Sequence, residues 1–245
     1  MSDLLRLYEF PHSHFCEVAR WALNRKGLKF RSTCLTPGFH ILRTRAMGLE
    51  TSLPILIHGH TKIQGSGAII NYLEHAYPDP PLTVGAAQDE FEAFERRVAM
   101  RIGVPLRRLC YFYLLDHPQL IEFCFMHRSP WLARQYFKVL YPILQQKLIE
   151  AYNITEKGAA QAQEELTTAI EHFDKMLGER EYFFGENFSR ADLTFASLLA
   201  FMVMPVKYPV PWPEQFQSLE IKPWFDSFSK CSSYQHVHRT YAAHR

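Results

Sequence analysis

The chain has 245 residues, enough for one large domain or two modest ones with a hydrophobic core. Hydrophobic residues make up 47% and charged residues 21%, which is ordinary globular usage and excludes disordered, collagen-like and low-complexity sequence. The formal net charge of +2 is far below that of a protein whose affinity comes from neutralising phosphates, so nucleic acid is not expected as a partner.

Membrane insertion and secretion are not expected either. The longest apolar run, residues 198–206, is much shorter than the roughly 20 residues of a membrane-spanning helix. Residues 1–10 carry acidic side chains and lack the cleavage site of a signal peptide. The five cysteines are scattered without a CxxC pair, which is typical of reduced thiols rather than of disulfides or a zinc site. These features predict a cytoplasmic protein.

The chain begins with a pattern typical of a strand followed by a helix. Residues 4–10 form a short apolar stretch, and Pro11 interrupts it. After Ser13, apolar residues recur at i, i+3, i+4 and i+7, which indicates an amphipathic helix that Gly27 ends.

Further strands and helices follow at short intervals. In order, the pattern predicts a strand at 30–35, a short helix at 39–47, and strands at 54–58 and 61–64 joined by a tight turn at Gly59-His60. A third helix then starts at Ser66. The order βαβαββα predicts a small sheet covered by helices.

The second half of the chain carries only helical patterns. A proline-rich stretch at 77–85 marks the change, so we expect a first domain at 1–78, a linker at 79–87 and an all-α domain at 88–245. Residues 193–204 are apolar on every side, as in a central buried helix. We expect four prolines to divide residues 88–153 into shorter helices: Pro105, Pro118, Pro130 and Pro142. The fold class is α/β plus all-α.

Ser13 stands where the first helix exposes unpaired backbone N–H groups and the positive end of its dipole. Its hydroxyl either caps the helix or donates to a bound thiolate. In the second case, the dipole at ~0.3–1 kcal/mol and a charged hydrogen bond at ~1.5–3 kcal/mol sum to roughly 2–4 kcal/mol, or about 1.5–3 pKa units. A thiol whose pKa is ~8.5 would then be mostly ionised at neutral pH.

Four segments resemble, in order and spacing, the signatures of soluble glutathione transferases. They are SHFCEVARWALNRKG at 13–27, SLPIL at 52–56, GSGAIINYL at 65–73 and SRADL at 189–193. The resemblance implies a thioredoxin-like N-terminal domain, an all-helical C-terminal domain, glutathione as co-substrate without a metal, and a homodimer.

The resemblance also assigns residues to roles. Ser13 matches the catalytic hydroxyl of serine-type members and the cysteine of thiol-transferring members. Glu9 stands at the place of the catalytic tyrosine in other classes, which argues against those classes and leaves the serine-type interpretation. Cys16 matches the second cysteine of a glutaredoxin-style pair whose first cysteine is absent, so we expect a packed thiol. The proline at 54 is cis in the family, which would leave the backbone of Leu53 free to pair with the cysteinyl part of glutathione.

The γ-glutamyl end of glutathione is expected at the start of the third helix. Ser66 would hold its carboxylate there, or would only cap the helix. Family members usually carry an acid or Gln before this serine to meet the amine, whereas this chain has Gly65, with Gln64 one position earlier. Either Gln64 reaches the amine or affinity is reduced. His40 lies near the position that holds the glycine carboxylate in some relatives, or it is an ordinary surface histidine.

The second substrate is expected to be a small hydrophobic electrophile between the domains. Candidate pocket residues are His14 and Phe15 on the first helix, and Tyr111 and Phe112 in the helical domain. A basic cluster either is a solvated face or dimer contact, or attracts anionic substrates to this cleft; its members are Arg96, Arg97, Arg101, Arg107 and Arg108. His58 and His60, like His236 and His238, alternate as metal ligands do but lack further ligands nearby.

Two functions remain open on these residues. The first is a glutathione transferase that activates the thiol with Ser13 for attack on an electrophile. The second is a non-catalytic protein of the same fold that binds a ligand or a partner protein, favoured by Gly65 and the unusual segment 100–155. The fold alone does not decide between them.

Overall fold

The N-terminal domain is built on one mixed sheet. In the computed structural model, which describes residues 4–245, its strands are β1 (Leu5–Glu9), β2 (Phe30–Cys34), β3 (Ile55–His58) and β4 (Thr61–Gln64). The strand order is β2-β1-β3-β4, with β1 parallel to β2 and antiparallel to β3, and β3 antiparallel to β4. The predicted hairpin around Gly59 is confirmed, with His58 opposite Thr61.

Three helices complete this domain: α1 (His14–Arg25), α2 (Phe39–Ala46) and α3 (Ser66–Ala76). The predicted order βαβαββα is therefore confirmed. Helices α1 and α3 pack together, and the face of α1 that buries Val18, Ala19 and Ala22 contributes to the core. The chain leaves α1 through Gly27, whose φ of +66° is a backbone conformation that favours glycine.

The C-terminal domain is entirely helical in the described residues, as predicted. Its α-helices are α4 (Gln88–Val98), α5 (Val104–Leu114), α6 (Pro118–Met126), α7 (Trp131–Tyr152), α8 (Glu156–Leu177), α9 (Arg190–Val203), α10 (Lys222–Ser227) and α11 (Ser232–His244). Every residue of α9 is buried, which confirms the predicted central helix. Among residues 4–245, no helix is both long and apolar enough to span a membrane.

The prolines act differently from one another. Pro118 begins α6 and Pro130 precedes α7, where a missing N–H costs no hydrogen bond. The division expected at Pro142 is wrong, because α7 continues through it for 22 residues. An interior proline removes one hydrogen bond and usually kinks a helix, but here the long helix stays continuous.

A π-helical turn, Ala99–Gly103, joins α4 to α5. Its hydrogen bonds run from i to i+5, and Val104 N–H donates to the carbonyl of Ala99. The turn ends two residues before Pro105, which has no N–H to donate and whose ring would crowd the preceding helical turn. The wider turn accommodates this proline without ending the helical run.

The two domains pack on each other through α1 and α9. A buried ion pair joins α9 to α4, with Arg190 donating to Glu95 at 2.6 and 2.8 Å. Helix α9 begins with part of a capping box, in which Asp192 accepts from the Ser189 N–H at 3.0 Å. Residues 77–87 between α3 and α4 contain neither helix nor strand; the domain boundaries at 78 and 88 stay predictions.

Candidate active site

Ser13 is the N-cap of α1, and its side chain caps this helix. Its Oγ accepts a hydrogen bond from the Cys16 N–H at 3.3 Å. A hydroxyl that accepts through a lone pair keeps its own hydrogen free to donate. Capping and donation to a bound anion, which the sequence offers as alternatives, are therefore compatible.

A buried network of charges holds the loop before Ser13. Arg20 on α1 donates to Glu9 of β1 at 2.8 Å, to Glu17 at 2.5 Å and to the Pro11 carbonyl at 3.0 Å. Glu9 and Glu17 are completely buried. Glu9 also accepts from Ser32 of β2 at 2.5 Å, so the acid at the tyrosine position ties the sheet to α1 and does not face the cleft.

The loop before β3 lies beside Ser13. The Leu53–Pro54 peptide is cis, as the resemblance implies. Gln64 is engaged with this loop: its Nε2 donates to the carbonyls of Glu50 at 2.8 Å and Ser52 at 2.7 Å, and its Oε1 accepts from the Glu50 N–H. In this arrangement the Gln64 amide supports the loop rather than reaching outward.

A cleft opens between the two domains in front of Ser13. The N-terminal domain contributes Ser13, His14, Phe15, His40 and Leu53 to its walls. The helical domain contributes aromatic and aliphatic side chains together with one charged group: Leu106, Arg107, Cys110, Tyr111, Leu114, Ile121, Cys124, Phe125, Tyr152 and Phe201. Phe112 does not line this cleft; it packs edge-on against Tyr113, with ring centroids 5.1 Å apart.

Two neutral histidines flank the serine. His14 Nε2 donates to the Gly103 carbonyl at 3.1 Å, and His12 Nε2 donates to the Pro211 carbonyl at 3.2 Å. Burial lowers the pKa of both rings to about 3, because a charged imidazole loses its hydration there. Both are therefore neutral at physiological pH, and neither adds charge to the cleft.

His40 on α2 also faces the cleft. Its Nδ1 accepts from the Gly38 N–H at 3.1 Å, and its ring packs edge-on against Phe10 at 5.1 Å between centroids. Burial lowers its pKa as well. His40 is therefore a half-buried cleft residue rather than an ordinary surface histidine.

Ser66 lies at a second cavity rather than in the first. It is the first residue of α3, and Gly65 is the N-cap, with a φ of +93° and no side chain capping the helix. The cap-only interpretation of Ser66 is therefore wrong. Phe15 lines both cavities, so the two adjoin at this ring. The Phe15 ring packs closely against Gly103. A Cβ at this position would lie 2.8 Å from the ring, so only glycine allows this contact.

Cys16 has the character of a packed thiol. Its side chain is fully buried, and burial raises its pKa to about 12, which keeps the thiol protonated at neutral pH. The histidine pairs have other partners: His58 contacts the Tyr72 hydroxyl at 2.6 Å and His236 the Glu181 carbonyl at 3.1 Å. In the part of the chain that the structure describes, no three His, Cys, Asp or Glu residues form a group suited to a metal.

Several cleft residues were not predicted from the sequence. His12, Phe10 and Phe125 carry no local signal, because they meet only when the domains pack. Arg107 belongs to the basic cluster, but the sequence does not separate it from its neighbours. The structure does, since Arg107 faces the cleft while Arg101 is exposed.

The four-stranded sheet with its helices, followed by a helical domain and a cleft between them, is a two-domain architecture of the thioredoxin-fold class. Residues 7–81 match the family model of the glutathione S-transferase N-terminal domain, and residues 130–220 match that of the C-terminal domain. Together the two models cover more than half of the chain. The chain therefore belongs to the glutathione S-transferase superfamily.

Individual relatives are distant. Glutathione S-transferase 1 of Dianthus caryophyllus is 37% identical over 86 residues, 32% of this chain, and the match spans only 37% of that relative. A glutathione transferase from Phanerochaete chrysosporium has a TM-score of 0.66 at 18% identity, covering 100% of this chain and 98% of its own. A Ceriporiopsis subvermispora glutathione S-transferase, solved with glutathione, has a TM-score of 0.68 at 15% identity, covering 99% and 98%. These structural similarities establish the fold.

Proposed function

We propose that the protein is a glutathione transferase in which Ser13 activates the thiol of glutathione for attack on a hydrophobic electrophile. The observation that carries this proposal is the Ser13 hydroxyl, which caps α1 through its oxygen and keeps its hydrogen available at the cleft. Family membership supports it, as does the Ceriporiopsis relative, which was solved with glutathione.

The chemistry of the thiolate follows from three features around Ser13. The hydroxyl donates to the sulfur, the α1 dipole points its positive end at it, and the surrounding histidines are neutral. The hydroxyl and the dipole favour the ionised form of the thiol over the neutral form, whereas the neutral histidines add no charge. The thiolate adds to an electrophilic carbon of the second substrate, a carbon–sulfur bond forms, and the leaving group departs with its electron pair.

Glutathione is placed by the remaining site residues. In this proposal the backbone of Leu53 pairs with the cysteinyl residue, Ser66 at the start of α3 holds the γ-glutamyl carboxylate, and His40 holds the glycine carboxylate. The tripeptide then passes over Phe15, which lines both cavities. The hydrophobic electrophile occupies the aromatic part of the cleft beside Tyr111 and Phe125. The reaction uses no metal.

A second candidate is a non-catalytic protein that binds a different ligand in the same cleft. It is favoured by one observation: Gln64 is engaged with the loop at residues 50–52, and Gly65 offers no side chain to the γ-glutamyl amine. If nothing replaces that contact, glutathione binds weakly.

Glutathione-induced thermal stabilisation, followed by conjugation of 1-chloro-2,4-dinitrobenzene, separates the two candidates. At 100 times the dissociation constant, glutathione should stabilise the fold by about 2.7 kcal/mol, and thioether should form. No stabilisation at millimolar glutathione would reject the proposed glutathione site and favour the non-catalytic candidate. Stabilisation without turnover would keep the glutathione site but reject activation of its thiol by Ser13.

A homodimer and a cytoplasmic location are part of the proposal. The dimer rests on family membership, and light scattering coupled to size-exclusion chromatography tests it. The location is supported by the five cysteines, all of which are unpaired, as expected in a reducing compartment. Fluorescent tagging in cells tests the location.

A further inference from the structure

The interdomain cleft contains one permanent charge. Its lining residues include no Asp, Glu or Lys among those that the structure describes, but they include three histidines and one arginine. The histidines, His12, His14 and His40, have their pKa values lowered by burial. At neutral pH the charge on the cleft walls is therefore the single positive charge of Arg107.

Arg107 is half-buried and lacks the partners that the buried arginines have. Arg20 is paired with Glu9 and Glu17, and Arg190 with Glu95. Within residues 4–245, by contrast, no carboxylate lies within salt-bridge distance of Arg107, and its Nε is buried without a hydrogen-bond partner. Its guanidinium carbon lies over the Tyr152 ring, 4.3 Å from the centroid, and 5.8 Å from that of Phe15.

The aromatic rings fix where this cation lies and leave donors free. Stacking on Tyr152 attracts the guanidinium through the ring face, but a ring face does not satisfy N–H donors that lie in the guanidinium plane. A planar guanidinium with free donors matches the two oxygens of a carboxylate. Beside it, Tyr111 stacks on Tyr152 and Phe125 at 5.6 and 6.4 Å between centroids, which suits a flat apolar body.

We propose that Arg107 binds a carboxylate of the second substrate, so that the preferred electrophiles are aromatic carboxylates with an otherwise apolar body. This inference rests on the proposed function, which supplies the thiolate on the opposite wall at Ser13. The glycine carboxylate of glutathione shares the same chemistry. Arg107 belongs to the helical wall, however, whereas His40 and Leu53 lie on the wall of the N-terminal domain.

A matched pair of electrophiles tests the assignment. 2-Chloro-1,3-dinitrobenzene and 4-chloro-3,5-dinitrobenzoate both carry nitro groups on the two sides of the chlorine, and the second adds only a carboxylate. Both lose chloride as glutathione forms a thioether. In Arg107→Gln, the kcat/KM for the benzoate relative to the neutral compound should fall about 10- to 100-fold, the range of a charge-assisted hydrogen bond. Arg107→Lys keeps the positive charge but lacks the two parallel N–H donors of a guanidinium. Its kcat/KM ratio should therefore lie between those of the wild type and Arg107→Gln. The exposed Arg101→Gln should keep the wild-type ratio.

Other outcomes overturn the assignment. An unchanged ratio with both rates reduced would mean that Arg107 acts on the thiolate, and a raised KM for glutathione alone would move its role to the glycine carboxylate. If neither electrophile reacts, the proposed function fails, and a binding measurement then tests the carboxylate site by itself. Wild-type protein should then bind the unreactive 3,5-dinitrobenzoate more tightly than 1,3-dinitrobenzene. Arg107→Gln should bind the two compounds equally well. The same preference for the benzoate in both proteins would reject the site. Melting curves confirm that each variant folds.

Discussion

Replacing Ser13 with alanine separates the structural and the chemical contribution of one hydroxyl. The folded state loses an N-cap, which typically costs about 1 kcal/mol of the free energy of unfolding. Because the Ser13 Oγ lies as far as 3.3 Å from the Cys16 N–H, we expect a loss no larger than this value. For a chain of this size, Tm should fall by roughly 2–4 °C per kcal/mol. The bound thiolate loses a charge-assisted hydrogen bond of ~1.5–3 kcal/mol, so the pKa of the glutathione thiol should rise by about 1–2 units.

The assay is the pH dependence of kcat/KM together with the ultraviolet absorbance of the bound thiolate. At pH 6.5 the rate should fall by about 10- to 100-fold, and it should recover partly as the pH approaches the raised pKa. Ser52→Ala is the matched control, because Ser52 lies on the same cleft but not at a helix N-terminus. Superimposable pH profiles for Ser13→Ala and wild-type protein, with glutathione still bound, would refute the assignment.

Three further substitutions test other parts of the structure. Cys16→Ala should retain most of the turnover, and in native protein Cys16 should resist alkylation at neutral pH, as read by mass spectrometry, because burial raises its pKa to about 12. Gly65→Gln should destabilise the fold by roughly 1–3 kcal/mol because a side chain is strained at the φ of +93°, and an unchanged Tm would contradict this. The same change should lower the KM for glutathione if the new amide meets the γ-glutamyl amine. His14 has its pKa lowered to about 3, so as the pH falls from ~6.5 towards 3 the unfolded chain binds a proton that the folded chain does not. The free energy of unfolding should then drop by about 1.4 kcal/mol per pH unit from this residue, and urea denaturation at pH 7 and 5 should show a shallower loss in His14→Gln.

Local periodicity was enough to predict the N-terminal domain. Strand β1 and helix α1 follow from a short apolar run, a break and an i, i+3, i+4 pattern, all of which lie within 25 residues. The hairpin of β3 and β4 follows from Gly59, since the turn sets the register. The position of Ser13 at a helix N-terminus is part of the same local information, so this half of the candidate site was predictable.

Contacts between segments distant in the sequence were not predictable in this way. Glu9 reads as a departure from the tyrosine-type pattern, and only the structure shows that it is buried against Arg20 and Ser32. Removing Arg20 would leave the buried carboxylate of Glu9 without an ion-pair partner, at a cost of about 3–5 kcal/mol, whereas Glu17 would keep Arg245. The partner of a charged strand residue, here eleven positions away, cannot be predicted from local sequence, because the pairing depends on how α1 folds back over the sheet.

The helical wall of the cleft depends on a feature that residue type barely signals. A π-helical turn inserts one extra residue, which rotates every later side chain by about 100° relative to an uninterrupted α-helix. A periodic interpretation that runs through Ala99–Gly103 therefore assigns the wrong face to α5. The turn also directs the Gly103 carbonyl to His14 and precedes the turn of α5 that carries Arg107 to the cleft. The proline at 105 is the one local sign of this change. The wall that meets the second substrate in the proposed function is consequently set by the segment whose rotation the sequence does not reveal.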